Sequence, residues 1–221
     1  MKLACLFSGG KDSCLALHLA VKYGNDIKYL LNVFPENKDS WMFHKPDLKL
    51  LKRQADELGI KLVIKKSKGE EREELEDLKN LILEIRENIE GIVTGGIASS
   101  YQGTRIKKIC DELGLEFIAP LWNVPAEKIW QKLFNSGFEV VLTKIACDGI
   151  GKEWIGRVIE RENFNNLKKL AEKYKFRLDF EGGEAETAVL WMPGFEKHIK
   201  IDFDADSENK YRHFMRIKKI I

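Results

Sequence analysis

Four cysteines, Cys5, Cys14, Cys110 and Cys147, are spread along 221 residues without a single Cys-x-x-Cys pair. That spacing supports neither a zinc knuckle nor a dithiol redox motif, and predicts small apolar side chains rather than nucleophiles. No apolar run approaches the roughly 18 residues of a membrane span. Neither sign of charge dominates: 37 Lys and Arg against 35 Asp and Glu leave a net charge of +2. The broad basic surface of a dedicated nucleic-acid binder is therefore not expected. There are no internal repeats or low-complexity segments. The N-terminus enters an apolar strand at once, which predicts no cleavable leader and a cytoplasmic protein.

What remains is the balance of a globular chain, 44% apolar and 33% charged. Its length suits one large domain, or one domain with a smaller appendix. Lys2 to Phe7 is a short apolar run of the kind buried in a parallel sheet. Helical periodicity follows over Asp12 to Tyr23 and is closed by Gly24. Strand Ile27 to Phe34, helix Pro46 to Leu58 and strand Leu62 to Ile64 come next. A charged helix covers Glu70 to Arg86, then strand Gly91 to Thr94, helix Gln102 to Leu113 and strand Leu115 to Ala119. Strands alternating with helices at this spacing predict βαβ units, hence a doubly wound, mostly parallel α/β sheet.

Beyond Pro120 the pattern loosens. Helices are expected at Lys128 to Asn135 and Phe164 to Tyr174, and strands at Phe138 to Ile145, Glu186 to Trp191, His198 to Phe203 and Tyr211 to Ile217. The alternation of Ile199, Ile201 and Phe203 marks an antiparallel piece. This predicts residues 1–122 as a nucleotide-binding domain and 123–221 as a smaller α+β substrate-binding region.

Ser8-Gly9-Gly10-Lys11-Asp12-Ser13 lies where the first strand turns into the first helix. Glycines let the backbone approach an anion closely, and successive N–H groups at a helix N-terminus point at phosphate oxygens. The Ser8 and Ser13 hydroxyls can donate, Lys11 can neutralise charge and Asp12 can help hold Mg²⁺. The bland alternative is an ordinary turn capped by Asp12 or Ser13. The loop is neither a Walker A sequence nor Gly-x-Gly-x-x-Gly. A second loop, Gly95 to Ser100, follows the fourth strand on the same sheet edge. Tyr101, Gln102 and Arg105 open the helix after it, either toward a substrate or as a plain helix start with a surface arginine. Glu181, Glu184 and Glu186 crowd acid around Gly182 and Gly183, which suits Mg²⁺, ammonium, a cationic substrate or a solvated turn.

At Ser8 to Ser13 the chain resembles the PP-loop ATP pyrophosphatase superfamily, whose signature is Ser-Gly-Gly-x-Asp-Ser. The resemblance implies a fold of the adenine-nucleotide hydrolase type and cleavage of ATP to AMP and pyrophosphate. Members adenylate a carboxylate or carbonyl oxygen, which a nitrogen or sulfur nucleophile then takes over. Within that superfamily three segments are similar to the diphthine–ammonia ligase family. They are Thr94-Gly95-Gly96-Ile97-Ala98-Ser99-Ser100-Tyr101-Gln102-Gly103-Thr104-Arg105-Ile106, then Cys110 to Leu115 with Pro120-Leu121-Trp122, then Glu181-Gly182-Gly183-Glu184-Ala185-Glu186-Thr187. His44 belongs to the same likeness. Two positions depart from it: Ala185 stands where an aromatic is expected, and Gly96 where many relatives carry Asp or Ala.

The likeness implies amidation of the diphthine carboxylate on translation elongation factor two, with ATP, Mg²⁺ and free ammonium. It places Ser8, Gly9, Gly10, Lys11, Asp12 and Ser13 on the nucleotide, with Lys11, Asp12 and Ser13 at the chemistry and Asp12 on the metal. Gly96, Ser99, Tyr101, Gln102, Arg105, Glu181, Gly182, Gly183, Glu184, Glu186 and Thr187 fall to the substrate. Tyr101, Trp122, Trp154 and Trp191 are candidates for an aromatic cage around a quaternary ammonium. Lys11→Ala is expected to cut turnover without unfolding the domain. Homo-oligomerisation is left open, and no direct nucleic-acid or membrane contact is expected. The rival readings are a tRNA-modifying PP-loop enzyme of the lysidine synthetase or thiolase type, and a module that binds ATP without turning it over.

Overall fold

The computed structural model describes residues 1–36, 46–68, 71–96 and 100–221, the side chains of 71, 72 and 100–102 excepted. Two compact units divide the chain, Met1–Asn123 and Val124–Ile221. No helix of the described residues is long and apolar enough to cross a membrane.

The first unit carries β1 (Lys2–Leu6), α1 (Lys11–Lys22), β2 (Asp26–Pro35), α2 (Leu48–Leu58), β3 (Lys61–Ser67), α3 (Glu71–Leu83), β4 (Gly91–Val93), α4 (Ser100–Glu112) and β5 (Glu116–Ile118). The strands run in the order β3-β2-β1-β4-β5, and every neighbouring pair is parallel. This is the expected doubly wound sheet. Right-handed crossovers put α1 and α2 over one face, α3 and α4 over the other. Ala4, Leu31, Val33 and Ile92 accordingly join Leu78, Leu81 and Ile82 of α3 and Ile106, Ile109 and Cys110 of α4 in one core. Cys5, one residue along from Ala4, faces the other way, its Sγ 3.9 Å from Ser13 O in α1. The chain reverses direction across the sheet between β1 and β4, so the loops leaving those two strands part there and open a crevice at the carboxyl edge.

Two boundaries differ from expectation for clear reasons. Helix α2 begins at Leu48, not Pro46, because Asp47 Oδ1 accepts from Lys49 N (2.9 Å) and Leu50 N (3.0 Å) and so sets the cap. Strand β3 runs over seven residues instead of three, in register with β2 from Tyr29↔Lys61 to Pro35↔Ser67. Lys65 and Lys66 hide its second half from an apolar pattern, which an edge strand tolerates.

The second unit holds α5 (Ala126–Asn135), β6 (Glu139–Ala146), α6 (Arg161–Tyr174), β7 (Ala185–Trp191), β8 (Ile201–Asn209) and β9 (Arg212–Ile220). Its four strands form an antiparallel sheet in the order β7-β6-β9-β8. The expected strand His198 to Phe203 is displaced: β8 starts at Ile201 and continues through Asp202, Asp204, Asp206 and Glu208. Aspartates disfavour strands in isolation. Here β8 is an edge whose acids meet β9 across the hairpin, Asp204 with Lys218 at 2.6 Å and Asp206 with Arg216 at 2.5 Å. Trp130 of α5, fully buried, centres the aromatic core with Phe134, Phe164 and Phe180.

Candidate functional site

Between β1 and α1 the chain makes its turn with Ser8, Gly9 and Gly10. Gly10 is the N-cap of α1 in extended conformation (φ −81°, ψ 169°), and no side chain of the described residues caps the helix. The alternative of Asp12 or Ser13 as cap is therefore not realised. Ser13 instead folds back: its Oγ donates to Gly10 O (3.1 Å) and accepts from Ser8 N (3.3 Å), with Ser8 Oγ 3.2 Å away. Gly10 N donates to Ser8 Oγ at 3.4 Å. The two serines tie the turn, while the first-turn N–H groups of α1 are left for an anion.

Three neighbours hold this turn from outside. Asn32 of β2, buried, donates to Phe7 O (2.8 Å) where the strand ends. Gln54 of α2 donates to Gly9 O (2.9 Å). Gly95, just past β4, lies so close that a Cβ there would stand 2.5 Å from Asp12 C and Ser13 N. Asn32, Gln54 and the contact of Gly95 carry no motif. An amide 45 residues from the loop is invisible in one dimension, although a glutamine among the apolar positions of α2 is an oddity that could have drawn notice.

Lys11 Nζ lies 2.6 Å from Asp12 Oδ2, with side-chain exposures of 2% and 23%. Lys11 is thus a buried side chain, and this revises one expectation. Lys11→Ala removes a packed stem as well as a charge, so it costs stability along with turnover. The Asp12 carboxylate sits in the first turn of α1. Mg²⁺ that arrives on phosphates needs only one or two protein carboxylates, and Asp12 fits that donor set.

Gly96 N reaches Thr94 Oγ1 at 3.4 Å. Tyr101 and Gln102 lie in the first turn of α4 and Arg105 one turn on, but the side chains of Tyr101 and Gln102, like Ser99 and His44, fall outside the described residues. Gly103 lets Trp122 lie against α4, its ring 2.6 Å from where a Cβ would be. Of the four cage candidates, Trp122 keeps 37% exposure. Trp154 is buried with Arg157 over its ring at 5.3 Å, and Trp191 stacks on His198 at 4.0 Å. Those two rings are already engaged.

In the second unit, Glu181 to Thr187 form a turn into β7, with Phe180 (φ 63°) and Gly183 (φ 81°) left-handed. Behind Asp179, Glu181 and Glu184 gather negative charge around Arg177, and Glu186 stands apart from them. Glu184 Oε1 accepts from Arg177 N (3.0 Å), and its backbone O accepts from Ala146 N (2.7 Å). Glu186 pairs with Lys144 at 2.9 Å, and Thr187 lies opposite Leu142 in β6. Glu181 N donates to Asp179 Oδ1 (3.1 Å), a carboxylate also gripped twice by Arg177. Glu184 Oε2 is buried and has no hydrogen-bond partner among the described residues. Among the described residues no group of three or more His, Cys, Asp or Glu could hold a metal.

Residues 1–117 match the family profile described as diphthamide synthase N-terminal domain, and residues 125–221 that of the C-terminal domain. The chain belongs to the diphthamide synthase family. It is 32% identical over 224 residues to a diphthine–ammonia ligase of Bos taurus, covering 91% of this chain and 83% of that one. The Homo sapiens protein of the same name is 33% identical with the same coverage. A Schizosaccharomyces pombe diphthine–ammonia ligase is 33% identical over 90% of this chain, which spans only 36% of that protein's length. Among solved structures, one described as a predicted subunit of tRNA methyltransferase from Methanocaldococcus jannaschii aligns over 90% of this chain and 99% of its own, with TM-score 0.47 and 18% identity, too low to bear on function.

The cysteines bear on the thiolase rival. Cys5, Cys14 and Cys110 are buried and Cys147 half-buried, all unpaired as disulfides. Burial holds the Cys5 and Cys14 thiols far above the ordinary range. Burial with Asp111 pushes Cys110 up to about 11, and burial with Glu184 does the same for Cys147. Raised thiols stay protonated and unreactive at neutral pH. Iodoacetamide at pH 7 is therefore expected to leave turnover unchanged, with labelling of Cys147 rising as the pH approaches 11. Rapid inactivation at pH 7 would revive a cysteine nucleophile.

Proposed function

We propose that this chain amidates the carboxylate of diphthine on translation elongation factor two, using ATP and ammonium and releasing AMP and pyrophosphate. The observation that carries the reading is the Ser8–Ser13 turn, tied by its own serines at the sheet's switch point in a member of the diphthamide synthase family. The unit Met1–Asn123 binds the nucleotide and the unit Val124–Ile221 serves the substrate. A translation factor as substrate goes with a cytoplasmic location.

The first-turn N–H groups of α1 and the Ser8 hydroxyl receive the phosphates on a turn that Ser13 holds closed, and Lys11 offsets their charge. Asp12 would hold a Mg²⁺ ion, whose charge neutralises phosphate oxygens when bound. With the triphosphate so held, a diphthine carboxylate oxygen attacks the α-phosphorus and pyrophosphate leaves, giving an acyl-adenylate. Ammonia nitrogen then attacks the acyl carbon; the C–O bond breaks, AMP departs with that oxygen, and a proton is lost from nitrogen. The protein's share is positioning and charge compensation. Glu184 Oε2, buried beside Cys147, is the acceptor best suited to an ammonium or another cationic donor. Gly96, Ser99, Tyr101, Gln102 and Arg105 are assigned to the substrate on the family likeness alone, and Trp122 offers an exposed ring in the same unit.

Oxygen labelling tests the chemistry. Diphthine carrying ¹⁸O in its carboxylate passes one labelled oxygen to AMP if the acyl-adenylate forms. AMP free of label, with amide produced, would sink the adenylate step.

A further inference from the structure

Gln54 is 1% exposed on the face of α2 that also buries Leu50, Leu51 and Ala55. A buried amide is costly unless hydrogen-bonded, and a leucine would pack there without that cost. What the amide does is specific. Its Nε2 donates to Gly9 O at 2.9 Å, and its Oε1 sits 2.0 Å from where a Gly9 Cβ would be. Gly9 is in the left-handed region at φ +74°, so the amide occupies the space that only glycine leaves open there.

The consequence follows from peptide geometry. In a trans peptide the C=O and the following N–H point in opposite directions. Drawing Gly9 O toward α2 turns Gly10 N–H away from it, toward the interior of the loop, where it meets Ser8 Oγ at 3.4 Å. A Gly-Gly peptide has little intrinsic preference between this plane and its flipped alternative. The flip would present a carbonyl dipole to the phosphates in place of a donor.

We propose that Gln54 is a positioning residue for the phosphate loop: it locks the Gly9–Gly10 peptide plane with its donor side toward the nucleotide and thereby sets ATP affinity. This rests on the reading of Ser8–Ser13 as the ATP site. The test measures ATP binding with magnesium by equilibrium titration, alongside thermal melting, for the parent, Gln54→Met and Gln54→Glu.

Gln54→Met keeps volume and removes the donor; it is expected to melt cooperatively and bind ATP at least tenfold more weakly. Gln54→Glu carries a signature that packing alone would not produce. Protonated, its carboxylic acid donates to Gly9 O as the amide does; ionised, it repels that oxygen. Burial raises such a carboxyl, so affinity should approach the parent's in acid and fall as the pH rises through its titration, a dependence absent in the parent. Gln54→Met binding within twofold of the parent, or Gln54→Glu with the parent's pH profile, overturns the proposal while the ligase reading stands. A parent that binds no ATP overturns both.

Discussion

Replacing Gly95 by alanine is expected to lower kcat/KM for ATP about 100-fold, the size of loss that a misplacement of about 1 Å produces at a reacting centre. The new Cβ would stand 2.5 Å from Asp12 C and Ser13 N and 2.7 Å from Asp12 O, all backbone atoms. Backbone cannot swing aside like the end of a side chain, so either the loop after β4 or the start of α1 must move. Helix α1 is anchored behind by Cys14, Leu15 and Ala16, each at 0% exposure. With the helix held from Cys14 onward, a shift at Asp12 and Ser13 is taken up in the phosphate turn before them, and overpacking adds a stability cost of about 1–3 kcal/mol. Gly96→Ala is the control. Among the described residues its Cβ would meet nothing nearer than Thr94 Oγ1 at 3.9 Å, so its KM for ATP should stay within about twofold of the parent. Steady-state kinetics of the two variants, with ATP varied, decide it; equal values for both would show that the close approach is immaterial.

Trp130→Ala is expected to destabilise the second unit by about 3–5 kcal/mol, the usual cost of deleting a buried tryptophan. The ring has no exposed surface and lies 5.2 Å from Phe164, 5.7 Å from Phe134 and 6.3 Å from Phe180, centroid to centroid. Its Nε1 also donates to Leu178 O at 2.9 Å. Leu178 leads directly into Phe180 and the Glu181–Glu186 turn, so one residue supports both the core and the approach to the motif. Trp130→Phe separates the two roles. It keeps an aromatic body and gives up the hydrogen bond, at about 1–2 kcal/mol for the stranded carbonyl plus the volume lost. Urea unfolding of both variants checks the ranking, and a cost below about 1 kcal/mol for the alanine variant would contradict it.

Much of the first unit was legible because its signals are local. An apolar run, a Gly-Gly turn with flanking serines and a helical period follow one another within 23 residues, and the doubly wound class follows from repeating that unit. What stayed hidden depends on pairing across space. Asp204 and Asp206 lie beyond the expected strand end at Phe203, and belong to β8 because Lys218 and Arg216 pair with them. Lys65 and Lys66 concealed half of β3 until β2 lay beside it. The phosphate turn itself was plain, yet its supports were not: Gln54 speaks for Gly9, and Gly95 for Ser13, only through contacts between separate elements. The motif offered Lys11 only as a charge to neutralise phosphate, and said nothing of its burial at 2% exposure, which comes from α1 starting against the sheet. The Glu181–Glu186 segment read as one acidic cluster, whereas Glu181 and Glu184 join Asp179 around Arg177 and Glu186 pairs with Lys144. Trp154 and Trp191 illustrate the same limit, since nothing along the chain reveals that Arg157 and His198 lie on their rings.

The most direct test of the account is product analysis with ATP, ammonium and diphthine-bearing elongation factor two, separating AMP from ADP. The account predicts AMP and pyrophosphate in step with amide, and none when either the factor or ammonium is left out. ADP as the product, or AMP that forms equally without the factor, would contradict it.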